Sequence, residues 1–129
     1  MLRYNAQGYY SWIVLDEQDK IVRFAKTFQK NLILTQGLDG IAVRSWADSF
    51  VACAVGTGSS TPVPTQIGLD NEIRRTATYL DMVEANSTSL VDNVYTLRRT
   101  FVFPKEGSNT TYSEMGFSYS TTGPNALFS

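Results

Sequence analysis

The chain has 129 residues, 11 basic and 12 acidic side chains, no histidine and a single cysteine. No Ser-His-Asp or Cys-His arrangement, no histidine or thiolate zinc site and no internal disulfide can be built from it. A net charge of −1 argues against general nucleic-acid binding, which needs clustered cations, and the length suits one domain with one core.

A hydrophobic content of 43% and a charged content of 18% fit a folded domain rather than a disordered one. The 12 Ser and 14 Thr, with seven Tyr and seven Phe, favour strands joined by polar turns. No apolar run approaches the ~20 residues of a membrane helix, and Met1–Asn5 leads into no signal-type apolar segment. No cofactor, nucleic acid or membrane partner is expected.

Tyr9–Asp16 (YYSWIVLD) is rich in aromatic and β-branched residues and predicts a strand. Asp16–Asp19 is a polar break. Lys20–Phe28 then alternates, with Val22, Phe24 and Phe28 on one face and Arg23 and Thr27 on the other. The two segments predict an antiparallel hairpin. Its first strand is apolar on both faces, Ile13 and Leu15 on one and Tyr10, Trp12 and Val14 on the other. Such a strand is either central in a sandwich or covered by a partner.

Over Asn31–Trp46 the period changes. Leu34, Leu38, Ile41 and Ala42 fall on one helical face, with Thr35 or Asn31 as N-cap. Gly37 and Gly40 weaken this helix by about 1 kcal/mol each, so packing must hold it. Ser49–Val55 predicts a buried strand containing Cys53, read as a small apolar residue. Gly56–Pro64, with two Gly and two Pro, is a loop in which Gly56 and Gly58 are expected at positive φ. Thr65 could cap a helical turn over Gln66–Glu72, turning Leu69 and Ile73 inward. Arg74–Glu84 and Val94–Phe103 predict a second hairpin joined by the polar stretch Ala85–Asn93. Tyr112–Thr121 alternates with Met115, Phe117 and Tyr119 inward, and Asn125–Ser129 closes as a last short strand. The expectation is a mainly β fold, an antiparallel β-sandwich or open barrel of six to seven strands with one short helix near residues 34–46.

Candidate chemistry is sparse. The carboxylate groups Asp16/Glu17/Asp19 and Asp70/Glu72 fall at turns, where solvated or dipole-facing roles outweigh a glycosidase pair or a calcium loop. The triplets Arg74-Arg75-Thr76 and Arg98-Arg99-Thr100 are read as strand residues that split to opposite faces. Arg75 and Arg99 are expected to form structural ion pairs with carboxylates such as Glu72 and Glu114. Tyr9, Tyr10, Trp12 and Val14 are the candidate contact residues, for a protein partner or for stacking on a host glycan.

Several segments carry a resemblance. Asn31-Leu32-Ile33-Leu34-Thr35-Gln36-Gly37-Leu38-Asp39-Gly40-Ile41-Ala42 resembles the N-L-I-x-x-x-G-L-D-x-I-A opening of a set of bacteriophage virion proteins, usually tail-fibre or tail-associated. Cys53–Gly58 with Thr61-Pro62 is similar to their A-x-G-T-G-x-x-x-P segment. Thr65-Gln66, Leu69 and Glu72–Thr76, then Arg99–Phe103, Glu114–Phe117 and Ala126–Ser129, resemble the stretches that follow in the same order. The likeness spans residues 31–129 and leaves out the N-terminal hairpin. It implies a non-enzymatic virion structural protein: a tail or fibre-associated attachment or adaptor domain, or alternatively a capsid decoration protein. It further implies other virion proteins as partners, homo-oligomerisation and assembly in the bacterial cytoplasm. A carbohydrate-binding module is the competing expectation. The chain is expected to be one β-rich domain over residues 1–129, its hairpin (1–30) packed on or extending from the body (31–129).

Overall fold

Asp16 closes the first turn as its position predicts. In a computed structural model its amide donates to the Lys20 carbonyl at 2.9 Å, and its Oδ1 accepts the amides of Gln18 and Lys20 at 2.8 and 2.9 Å. Asp19 takes φ 59°, the left-handed conformation that Asp tolerates better than bulkier residues. The residues described are 7–43, 47–80, 88–91, 94–105, 110–123, 125–127 and 129.

The predicted hairpin forms, in two ladders. Strand β1 (Gly8–Tyr10) pairs antiparallel with β4 (Gln29–Asn31), and β2 (Ile13–Leu15) with β3 (Ile21–Phe24). The ladders are separate because the chain leaves strand geometry at Ser11-Trp12 and again over Ala25–Phe28. Interruptions of this kind yield nine short strands among the described residues, where the periodicity predicts six or seven. The fold is mainly β, and among the described residues every strand pair is antiparallel and no sheet closes into a barrel.

Helix α1 (Thr35–Val43) follows, then a 3-10 turn at Ala47–Ser49. The helix turns Leu34, Gly37 and Gly40 inward and leaves Leu38 half exposed. Gly37 and Gly40 are thus both buried. The Pro64 carbonyl accepts the Thr35 amide at 2.8 Å, so a loop carbonyl takes the first helical N–H, and the Leu34 carbonyl accepts the Leu38 amide at 3.1 Å. Gln36 Nε2 donates to the Ile67 and Leu127 carbonyls at 2.9 and 2.6 Å, pinning the helix start to two distant segments.

The central sheet places β5 (Ala52–Gly56) between β6 (Glu72–Thr76) and β9 (Glu114–Ser118). Residues 66–71 contain no helix, and Ile73 is half exposed in β6 instead of pointing inward. The second hairpin is also rearranged. Its first strand pairs with β5, and the expected partners form no strand ladder among the described residues: their backbones meet through the Tyr79–Phe101 bridge and the bonds Leu80 N to Thr100 O (3.1 Å) and Val102 N to Thr78 O (2.9 Å), with Thr76 Oγ1 donating to Val102 O at 2.8 Å. Part of the stretch expected as a polar link is β7 (Thr88–Val91), paired with β8 (Val94–Leu97). Phe101 meets the Tyr79 ring edge-to-face at 6.1 Å and lies tilted at 5.9 Å from Phe117, which ties the segment after β8 to the central sheet.

Among the described residues the buried apolar side chains are Leu34, Ala52, Cys53, Ala54, Ala126 and Leu127, most of them small. In β9 the buried residues are Gly116 and Ser118, while Met115, Phe117 and Tyr119 are half-buried, the reverse of the predicted inner face. The tail causes this. Phe117 N donates to Ser129 O at 2.7 Å, Ser118 bridges to Leu127, and a Cβ on Gly116 would meet Leu127 Cδ2 at 2.8 Å. The tail thus covers the small-residue face. Ser118 Oγ donates to Ala126 O at 2.7 Å, which satisfies a fully buried hydroxyl.

Candidate functional site

The hairpin tip presents the most conspicuous unburied feature. Ile13 stands opposite Phe24 and Leu15 opposite Ile21, and residues directly opposite in an antiparallel pair share a face. These four side chains form one wholly apolar face, 58%, 59%, 47% and 59% exposed in that order. Trp12, Val14 and Val22 are exposed as well. Strict alternation groups Phe24 with Val22 and overlooks Ile21. The ladder shifts register between Val14 and Leu15, leaving Val22 as the extra residue and bringing Ile21 and Phe24 together. No periodicity in β3 signals that bulge; the three-acid turn before it is its nearest cue.

The expected contact set divides. Val14 is exposed on the ribbon face that also carries Arg23. Tyr9 is exposed on β1 and its hydroxyl donates to Gln7 Oε1 at 2.8 Å. Tyr10 is half-buried, its hydroxyl bonded to Gln29 Oε1 at 2.6 Å, and it walls a different feature, a cleft of about 320 Å³. Lys30, Ser59, Ser60, Ser113 and Leu127 also line this cleft. Asn31 Nδ2 donates to Ser129 Oγ at 3.0 Å and ties the hairpin base to the tail beside it.

Glu114 also lines the cleft, in a role the ion-pair expectation does not anticipate. Its Oε1 accepts the amides of Gly58 and Asn71, each at 2.8 Å, and its Oε2 accepts the Asp70 amide at 2.9 Å. One carboxylate thus gathers two loops onto the edge of the sheet. Asp70 Oδ2 adds a bond from the Ser60 amide at 3.0 Å. A Cβ on Gly56 would sit 2.3 Å from the Asn71 carbonyl oxygen, and one on Gly58 would sit 2.5 Å from Glu114 Oε1. Neither glycine has positive φ; both are glycine because the loops close on them.

The arginines separate as β geometry requires. Arg75 and Glu72 form the expected pair, with both bonds at 2.7 Å in fork geometry, and Arg75 Nη1 donates to Ser120 O. Arg74 turns to the Pro104 carbonyl and the Phe103 ring. Arg99 lies outside any strand, donates to the Phe50 carbonyl and stacks 4.6 Å over the Tyr79 ring. Asp70 and Glu72 are each committed to a separate bond, Asp70 to the Ser60 amide and Glu72 to Arg75. Among the described residues no group of three metal-ligating side chains converges, and no helix is long and apolar enough to cross a membrane.

Cys53 is buried, and burial pushes its thiol up to about 12, the Arg75 charge pulling weakly the other way. The folded chain therefore keeps a proton that the unfolded chain loses near 9.0. This contribution to stability is whole below pH 9 and is lost as pH rises toward 12. Denaturant titrations at stepped pH should show stability falling more steeply above pH 9 in the native sequence than in Cys53→Ala. Equal slopes would refute the burial effect.

Comparison with protein-family models, curated proteins and solved structures finds no match to this chain.

Proposed function

We propose that this chain is a bacteriophage virion structural protein, a tail or fibre-associated attachment or adaptor domain without enzymatic activity. The ordered resemblance across residues 31–129 carries the reading. The exposed apolar ribbon over residues 13–24 supports it, because monomeric proteins rarely leave such a face bare and assembly components use one. The arrangement has the parts an adaptor needs: a tightly bonded body and an exposed apolar contact element. It acts through protein–protein contacts, in homo-oligomers and with other virion proteins, and resides in the particle assembled in the host cytoplasm.

Peptide mass spectrometry of gradient-purified particles from the producing host tests this. The chain is expected at a fixed stoichiometry, and labelling with gold-tagged antibody is expected at the tail. Absence from the particles would overturn the reading; label over the head would replace it with capsid decoration. Tyr9 and Trp12, both at the surface, favour a second reading as a carbohydrate-binding module. Under that reading host-glycan binding is expected, with at least about a tenfold loss on Trp12→Ala.

A further inference from the structure

The ribbon carries a charge pattern along its length as well as an apolar face. Its tip holds Asp16, Glu17 and Asp19, and residues 20–30 hold Lys20, Arg23, Lys26 and Lys30 with no acid among them. Glu17 pairs with Lys105 at 2.8 Å, both side chains about 70% exposed, so this bond leaves the tip open to solvent. Counting Lys20 and Lys105, the tip keeps one negative charge in excess, and the base is purely cationic.

Two copies can bring the Ile13/Leu15/Ile21/Phe24 faces together with two-fold symmetry in two ways. With the axis along the strands, tip meets tip, and three acids face their own copies. With the axis across the strands, tip meets base. The second arrangement brings the acidic turn that follows Leu15, with Glu17, toward the basic segment that follows Phe24, with Lys26. Charge complementarity thus selects one occupant and one orientation.

We propose that a second copy of this chain seats antiparallel on the ribbon face of Ile13, Leu15, Ile21 and Phe24, each acidic tip over the other copy's Lys26. This rests on the reading of the chain as an assembly component and names the surface and geometry of its self-contact. The strands span only about 10–13 Å, and the contact falls short of the ~1,600 Å² of a standard interface. Isolated association is therefore weak, with Kd on the order of 10 µM.

Sedimentation equilibrium on the full chain, up to roughly 200 µM to exceed that Kd, tests it. The native chain is expected to dimerise reversibly. Phe24→Lys is expected to weaken association about tenfold or more, because it places an unpaired charge in an apolar contact. Phe24 is exposed, so a circular-dichroism melt should confirm an intact fold. Ile73→Lys, at an exposed position on β6, should leave dimerisation unchanged. Lys26→Glu should weaken the dimer, and Lys26→Glu with Glu17→Lys should restore it. A monomeric native chain, or association indifferent to Phe24→Lys, overturns the proposal. Loss without rescue in the double reversal overturns the antiparallel arrangement. A monomer that is nonetheless found in purified particles sinks the self-contact and spares the virion reading. A ribbon-dependent dimer absent from particles does the opposite.

Discussion

Glu114→Gln is expected to destabilise the fold by about 2–4 kcal/mol, a drop of roughly 10 °C in Tm for a chain of this size. The native carboxylate accepts three backbone amides with two oxygens, an arrangement stronger than neutral hydrogen bonding because the acceptor is charged. A glutamine keeps one oxygen and turns an NH2 group toward an amide donor, so at least one N–H loses its acceptor. The loss is local before it is global. Hydrogen exchange at the Gly58, Asp70 and Asn71 amides should rise first, with protease cleavage in the 57–62 loop. Glu114→Asp should recover only part of the stability, because its carboxylate is one methylene short of both loops. An unchanged Tm in Glu114→Gln would show that the loops are held by other contacts.

Gly56→Ala is expected to cost about 3 kcal/mol or more and, in a marginally stable domain, to leave a substantial unfolded fraction. Its added methyl group would stand 2.3 Å from the Asn71 carbonyl oxygen and 2.5 Å from Glu114 Oε1. The first is backbone, so relief requires moving β6 away from β5 at the point where their register already shifts. Gly123→Ala is the matched control. Its nearest contact is the Ser120 hydroxyl at 3.2 Å, and a cost under about 1 kcal/mol is expected. Urea midpoints of the two variants, measured side by side, separate close packing from a general intolerance of side chains at glycine. Equal midpoints would refute the close-approach explanation.

These effects also show where local sequence signals stop. Glu114 reads as an ion-pair partner because an isolated acid in a strand near four arginines suggests nothing else. Its actual partners, Gly58, Asp70 and Asn71, are 43 to 56 residues away and supply backbone amides, which have no sequence signature. The Gly56-Thr57-Gly58 segment is legible as a loop, but its reason is proximity rather than positive φ. The inner face of β9 is misassigned because large side chains mark a buried face only when something large covers them. Here a short tail covers Gly116 and Ser118 instead. The ribbon is half legible: alternation places Ile13 with Leu15, whereas the bulge adds Ile21 and Phe24.

Local sequence accounts for what acts over a few residues. It set the absence of histidine chemistry, the Asp16–Asp19 turn and its hairpin, the loop after β5, the short helix, the burial of Cys53 and the Glu72–Arg75 pair. Turn residues, strand alternation and close ion pairs are local, so their outcome depends little on the rest of the chain. Tertiary structure decided which strands flank β5, which face of β9 the tail covers, and which loops Glu114 binds. It also decided that the apolar hairpin strand stays uncovered within the chain. Those outcomes depend on contacts between segments far apart in sequence, where packing space and backbone hydrogen bonding select the partner and periodicity is silent.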